Sequence, residues 1–188
     1  SMLDGVVLFE ELGRALAPTP LIESAVMSAG AILRAGSDAQ QADLLPAIAS
    51  GEMVVVPSWL EPDNSYGPRG VQMRAEADGD AFVLSGTKVL VRFAAAADRL
   101  VVLARTGDAE GDVDLFLVDP EAPGVSVEQR HTISSDAQFR IEFDGVRVAA
   151  SDRIGAPGSG WATWSAVMVR AMTLAAAYAA GGAQYALD

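Results

Sequence analysis

The residues best equipped for chemistry fall in short polar stretches between apolar runs. The single histidine, His131, precedes Ser134, Ser135 and Asp136, the residue types of a hydrolytic triad. A lone histidine at a strand end reads as a surface or turn residue, and a Ser/Asp run reads as a turn, so no triad is assigned. Residues 60–67, Leu-Glu-Pro-Asp-Asn-Ser-Tyr-Gly, offer backbone amides to an anion or form a plain β-turn. Arg92, within Leu90-Val91-Arg92-Phe93, can grip a phosphate or carboxylate bidentately, or stand as a solvated residue on a strand edge. The acidic run Asp108, Glu110, Asp112 and Asp114 lacks calcium-ligand spacing and reads as a solvated hairpin loop, so no metal site is assigned.

Absences narrow the chemistry further. With no cysteine, thiolate nucleophiles, cysteine-ligated metals and a disulfide-stapled secreted fold are all excluded. Between Gly160 and Leu187 there is no Asp or Glu, so that stretch holds no carboxylate base and no catalytic residue is assigned. A formal net charge of -12 over 188 residues repels phosphodiesters, which argues against nucleic acid as a partner. An anionic ligand such as a CoA ester would need a local basic pocket set against that field.

Those stretches must be positioned by elements that the apolar pattern marks out. Helical spacing predicts one helix over 4–17, stopped by Pro18 and Pro20, and a second, apolar on most sides, over 21–35. A third over 39–50, capped by Ser37 or Asp38, ends at Gly51. Short β-branched runs then predict strands at 53–59, 71–77, 81–84, 88–91, 99–105, 112–118, 125–130, 138–143 and 146–148. Asp78-Gly79 and Asp144-Gly145 read as hairpin turns, since both residue types tolerate positive φ. From Gly160 onward helical spacing returns, with Trp161 and Trp164 reading as interface or core residues. That helix is so apolar that it needs partners to cover it, so the chain is expected to associate with another copy or to be a piece of a longer protein. Ser1-Met2 reads as a cloning remnant, and neither a signal peptide nor a membrane span is expected. The fold class is therefore α+β, an antiparallel β-barrel-like domain flanked by an N-terminal helical segment and a long C-terminal helix.

Several segments, in order, resemble the acyl-CoA dehydrogenase family. LFEELGRALAPTP is similar to a family helix with an E-E-L-G-R pattern, and GSDAQQADLLPAIASGE to the segment leading into the first strand. DGDAFVLSGTKVLV resembles the family's D-G-D hairpin ending in G-x-K, and ADRLVVLART the strand after it. FLVDPEAPGVSV, FDGVRVAASDRIGAPGSGW and AAAYAAGGAQYALD complete the series. The resemblance implies a partial N-terminal helical domain over 3–51, a middle β-barrel domain over 52–157, and the first helix of a C-terminal bundle over 158–188.

It also implies a cofactor and a reaction. Family members bind FAD, abstract an α-proton from an acyl-CoA with a carboxylate and pass the β-hydride to flavin N5, a step of lipid metabolism. The flavin-holding loop, T-E-P-x-x-G-S-D in the family, falls on Leu60, Glu61 and Tyr66. The W-(I/V)-(T/S)-N flavin segment falls on Leu90, Val91, Arg92 and Phe93. Ser135 and Asp136 lie where the family places a serine near the acyl-CoA. Leu60 and Arg92 replace hydroxyl-bearing residues, so a second reading is a non-catalytic structural subunit of a hetero-oligomer. A cytoplasmic homo- or hetero-oligomer, dimer or tetramer, is expected.

Overall fold

The computed structural model describes residues 2–63, 66–133 and 136–187. Its N-terminal helix, α1 (Met2–Arg14), ends four residues before Pro18. The predicted second helix begins as a π-helical segment, Ile22–Ser28, and continues as α2 (Ala29–Ala35). π-Turns inside helices recur at functional sites, and this one buries Glu23, Ser24 and Ser28. α3 (Asp38–Ser50) starts on a capping box in which the Ser37 hydroxyl accepts the Gln40 amide at 3.2 Å and Gln40 Oε1 accepts the Ser37 amide at 3.0 Å. It stops at Gly51, whose φ of 79° is the left-handed conformation of a helix C-terminus.

The β-region is one eight-stranded sheet: β1 (Val55–Ser58), β2 (Arg74–Asp78), β3 (Ala81–Arg92), β4 (Arg99–Arg105), β5 (Val113–Val118), β6 (Val125–Arg130), β7 (Gln138–Ala149) and β8 (Arg153–Ile154). Strand order is β6-β7-β3-β2-β4-β5-β8, with β1 added beside β4. The predicted Asp78-Gly79 turn joins β2 to β3 as an antiparallel hairpin. Asp144-Gly145 makes no hairpin. It lies inside β7, which continues across β3 through a register shift, so the two strands expected there are one bulged strand. The runs at 81–84 and 88–91 fuse likewise into β3. Pairing is antiparallel except where β1, and one residue of β2, lie parallel to β4.

Alternation along the central strands makes two cores. Leu100, Val102, Ala104, Phe116 and Val118 point to one side, where they meet Leu84, Phe139, Ile141 and Val148 from the far half of the sheet. A sheet whose distant strands share one core is wrapped on itself, which is the barrel-like character. Val101, Leu103, Val113, Leu115 and Leu117 point to the other side and pack against Ala31, Ile32, Trp164 and Val167 of the helices.

The helix α4 (Gly160–Leu187) runs 28 residues, straight through Gly181-Gly182. By length and composition it could cross a membrane. Its packing accounts for it otherwise. A Cβ on Gly13 would fall 1.9 Å from the Tyr178 carbonyl oxygen, and one on Gly181 1.8 Å from that of Glu10, so α1 and α4 touch backbone to backbone. The glycines are there for close approach. Trp164 is fully buried against Trp59, ring centroids 5.6 Å apart.

Candidate functional site

The two segments assigned to a flavin by resemblance meet in space. The Val89 amide donates to the Leu60 carbonyl at 2.9 Å, binding the loop after β1 to the end of β3. Glu61 does not face this junction as a free acid. Its carboxylate accepts the Gln72 and Met73 amides at 2.9 and 3.1 Å and the Lys88 ammonium at 2.7 Å, and so staples the loop to β2 and β3. Lys88 is wholly buried. Burial pushes its pKa down to about 8, against the opposing pull of Glu61. Sequence reasoning missed Lys88; the signal was the G-x-K lysine in an otherwise apolar strand beside a loop glutamate.

At the end of β3 the pairing with β7 shifts between Lys88 and Val91. Leu90 adopts φ 55° and Phe93 φ 58°, left-handed backbone that bulky residues adopt at some cost in strain. The bulge turns Leu90 outward, 54% exposed, while Val91 points into the core at 2%. Arg92 then reaches across the gap to the π-helical segment. Its Nη1 donates to Glu23 Oε1 at 2.9 Å, and its Nε lies 3.3 Å from Asp136 Oδ2. The guanidinium also sits 5.3 Å from the Phe93 ring centroid. The Arg92 side chain is 41% exposed, and its partners are carboxylates of the same chain.

Glu23 is the functional-looking residue that the sequence hid. Burial raises its pKa above the ordinary glutamate value, with Arg92 opposing. Its Oε2 is buried without a hydrogen-bond partner. A single acid in the apolar stretch 21–35 was the available signal, because a buried carboxylate requires a cation or a proton.

The remaining assignments scatter. Tyr66 is 88% exposed, and Ser135 lies outside the described residues. Asp136 is half-buried and accepts the Thr132 hydroxyl at 3.1 Å and the Gln138 amide at 3.0 Å besides meeting Arg92. His131 is exposed. In the acidic hairpin Asp114 departs from the solvated reading: it is buried, accepting the Thr106 hydroxyl at 2.9 Å and the Gly158 amide at 2.7 Å, and thereby ties the hairpin to the turn before α4. Asp108 and Glu110 pair outward with Arg74 and Arg69.

A flavin fits this place in part. Leu60 is half-buried and Leu90 exposed, and both are apolar, as a planar ring requires of its neighbours. Side-chain donors are the deficit, since Leu60 has none and Arg92 is committed to two carboxylates, a cluster of net negative charge when all three ionise.

Comparison with known proteins places these features in context. Family models described as acyl-CoA dehydrogenase N-terminal domain and acyl-CoA dehydrogenase middle domain match residues 1–52 and 58–146. A 3-sulfinopropanoyl-CoA desulfinase of Paraburkholderia xenovorans is 30% identical over 202 residues, covering 100% of this chain and 52% of that protein. A glutaryl-CoA dehydrogenase from Mycobacterium smegmatis, solved in complex with FADH2, superposes with a TM-score of 0.87 at 26% identity, over 97% of this chain and 47% of that one. The ChsE4-ChsE5 complex from Mycobacterium tuberculosis gives 0.83 at 25% identity, over 90% and 45%. The chain spans about half the length of the curated relatives it matches.

Proposed function

The chain belongs to the acyl-CoA dehydrogenase family, and on that premise we propose that it contributes the middle β-domain and its flanking helices to an FAD-dependent α,β-dehydrogenation of an acyl-CoA thioester, a reaction it does not complete alone. One observation carries this reading: the Leu60 and Leu90 segments, both assigned by resemblance, are joined at 2.9 Å by the hydrogen bond from the Val89 amide to the Leu60 carbonyl. FAD, when bound in such an enzyme, accepts the β-hydride as the α-proton leaves. The chain's own part is to wall the ring with Leu60 and Leu90 and to fix that wall through the Glu61–Lys88 staple. The α-proton acceptor comes from outside α4, which carries no carboxylate. The division into 3–51, 52–157 and 158–188 belongs to this proposal.

A second reading is favoured by Arg92. Its engagement with Glu23 and Asp136 removes a donor from the flavin-facing position, which suits a non-catalytic subunit paired with an active relative in a hetero-oligomer. Titration of the purified chain with FAD, followed by flavin fluorescence, separates the two. Weak but saturable quenching with no turnover of butyryl-CoA supports the first. Absence of quenching in both the wild-type chain and Arg92→Thr favours the second, and turnover by the chain alone refutes both.

A further inference from the structure

Arg74 opens β2 and Arg105 closes β4, and these two arginines are the Cα partners at the bridge between those strands. Like charges set side by side across a sheet repel, so the juxtaposition calls for an anion. Arg105 is only 6% exposed. Its guanidinium donates to the carbonyls of Val71 at 2.8 Å, Ala109 at 2.7 Å and Pro68 at 2.6 Å. None of those acceptors carries a charge, and among the described residues Arg105 makes no ion pair. A buried charge is ordinarily matched by one of opposite sign. The guanidinium fork also keeps N–H donors beyond the three it has spent.

Both arginines line a pocket of about 420 Å³, and Arg69, Gln72, Asp108 and Glu110 complete its wall. Each of those side chains is charged or carries an amide, a lining that suits an ion and gives an apolar segment nothing to pack on. Three of the thirteen basic residues of a chain of net charge -12 meet here. Arg69 is held by Glu110 at 2.9 Å and Arg74 by Asp108 at 3.1 Å. Both pairs stand in solvent, where such contacts contribute little and exchange partners readily. Three guanidiniums against two carboxylates leave the pocket positive. A phosphoryl group brings up to two negative charges and three acceptor oxygens, enough to engage several forks at once, whereas one carboxylate fills one fork.

We propose that this pocket is an anion site for a phosphoryl group, seated on Arg105 and gripped by Arg69 and Arg74 as they release Glu110 and Asp108. It shares no lining residue with the Leu60 and Leu90 segments, so it stands apart from the flavin reading. Isothermal titration of the whole 188-residue chain with inorganic phosphate and with AMP, each against sodium chloride at matched ionic strength, tests it. Far-UV circular dichroism checks the fold of each variant, and Arg105 is left intact because its carbonyl bonds hold two loops. Saturable one-to-one binding is expected. Tighter binding of AMP identifies a phosphomonoester as the ligand, and equal or tighter binding of phosphate identifies the free ion. Arg69→Ala/Arg74→Ala should weaken binding at least about tenfold, through the loss of two charge-assisted contacts. Asp108→Asn/Glu110→Gln should tighten it several-fold, because the competing carboxylates are gone. A wild type that binds neither probe saturably overturns the proposal, as does binding that sodium chloride reproduces. So does binding that Arg69→Ala/Arg74→Ala leaves unchanged or that Asp108→Asn/Glu110→Gln makes no tighter.

Discussion

Lys88→Met tests whether the Glu61–Lys88 pair holds the candidate site together. The substitution keeps the aliphatic volume and removes the ammonium, leaving the Glu61 carboxylate buried. Breaking a buried ion pair from one side costs about 3–5 kcal/mol. Here Glu61 keeps the Gln72 and Met73 amides at 2.9 and 3.1 Å, so a loss nearer ~2–3 kcal/mol at neutral pH is expected. Glu61→Gln should cost more, because it strands an ammonium that has no exposed surface. The pH dependence gives an independent signature. Lys88 titrates near 8 in the fold against an ordinary 10.5, so between those values the unfolded chain holds the proton and the folded chain does not. Wild-type stability therefore rises with pH across that window, by at most about 1.4 kcal/mol per unit, and Lys88→Met lacks the rise. Urea denaturation followed by far-UV circular dichroism at pH 7, 8.5 and 10 reads both effects. A Lys88→Met midpoint equal to wild type at pH 7, or a gap between the two that does not widen with pH, refutes the reasoning.

Gly181→Ala should destabilise by about 1–3 kcal/mol, since its Cβ would meet backbone that can yield only if α1 moves, whereas Gly182→Ala, whose nearest contact is 3.4 Å, should be neutral or slightly stabilising; thermal unfolding compares them. Arg92→Met strands Glu23, whose pKa is already raised by burial. A raised carboxyl favours the fold at low pH and loses that advantage as pH climbs through its folded value. The variant should therefore match wild type near pH 4 and fall below it by about 1–2 kcal/mol at neutral pH, with Glu23→Gln/Arg92→Met showing no such slope in the same urea titration.

What the sequence made legible was whatever repeats or punctuates. The helix starts, the Asp78-Gly79 hairpin, the strand runs and the long C-terminal helix are local signals, and local signals survive into the fold. The fusion of two short runs into β7 was not legible, because a bulge inside a strand and a turn between strands call for the same Asp-Gly chemistry; only the partner strand decides, as it does at Ser85-Gly86-Thr87 inside β3. At Gly181-Gly182 local propensity and packing point opposite ways. Glycine weakens an isolated helix, but against α1 the lost side chain is what permits contact.

The same division runs through the candidate site. The Leu60 and Leu90 segments approach one another through the Val89–Leu60 backbone hydrogen bond, which any side chain allows. Resemblance could not say where the Arg92 side chain goes. Its partner Glu23 lies 69 residues away in sequence, on a helix whose apolar pattern gave no sign of facing β3. The backbone at Leu90 and Phe93 makes the point sharply: both are held at positive φ, where the family segment W-(I/V)-(T/S)-N has an asparagine suited to the second of them. The sheet imposes the bulge whatever residue occupies it. What differs from one sequence to another is where the side chains on that bulge go, and in this chain Val91 turns to the core, Leu90 to solvent and Arg92 to carboxylates of its own chain.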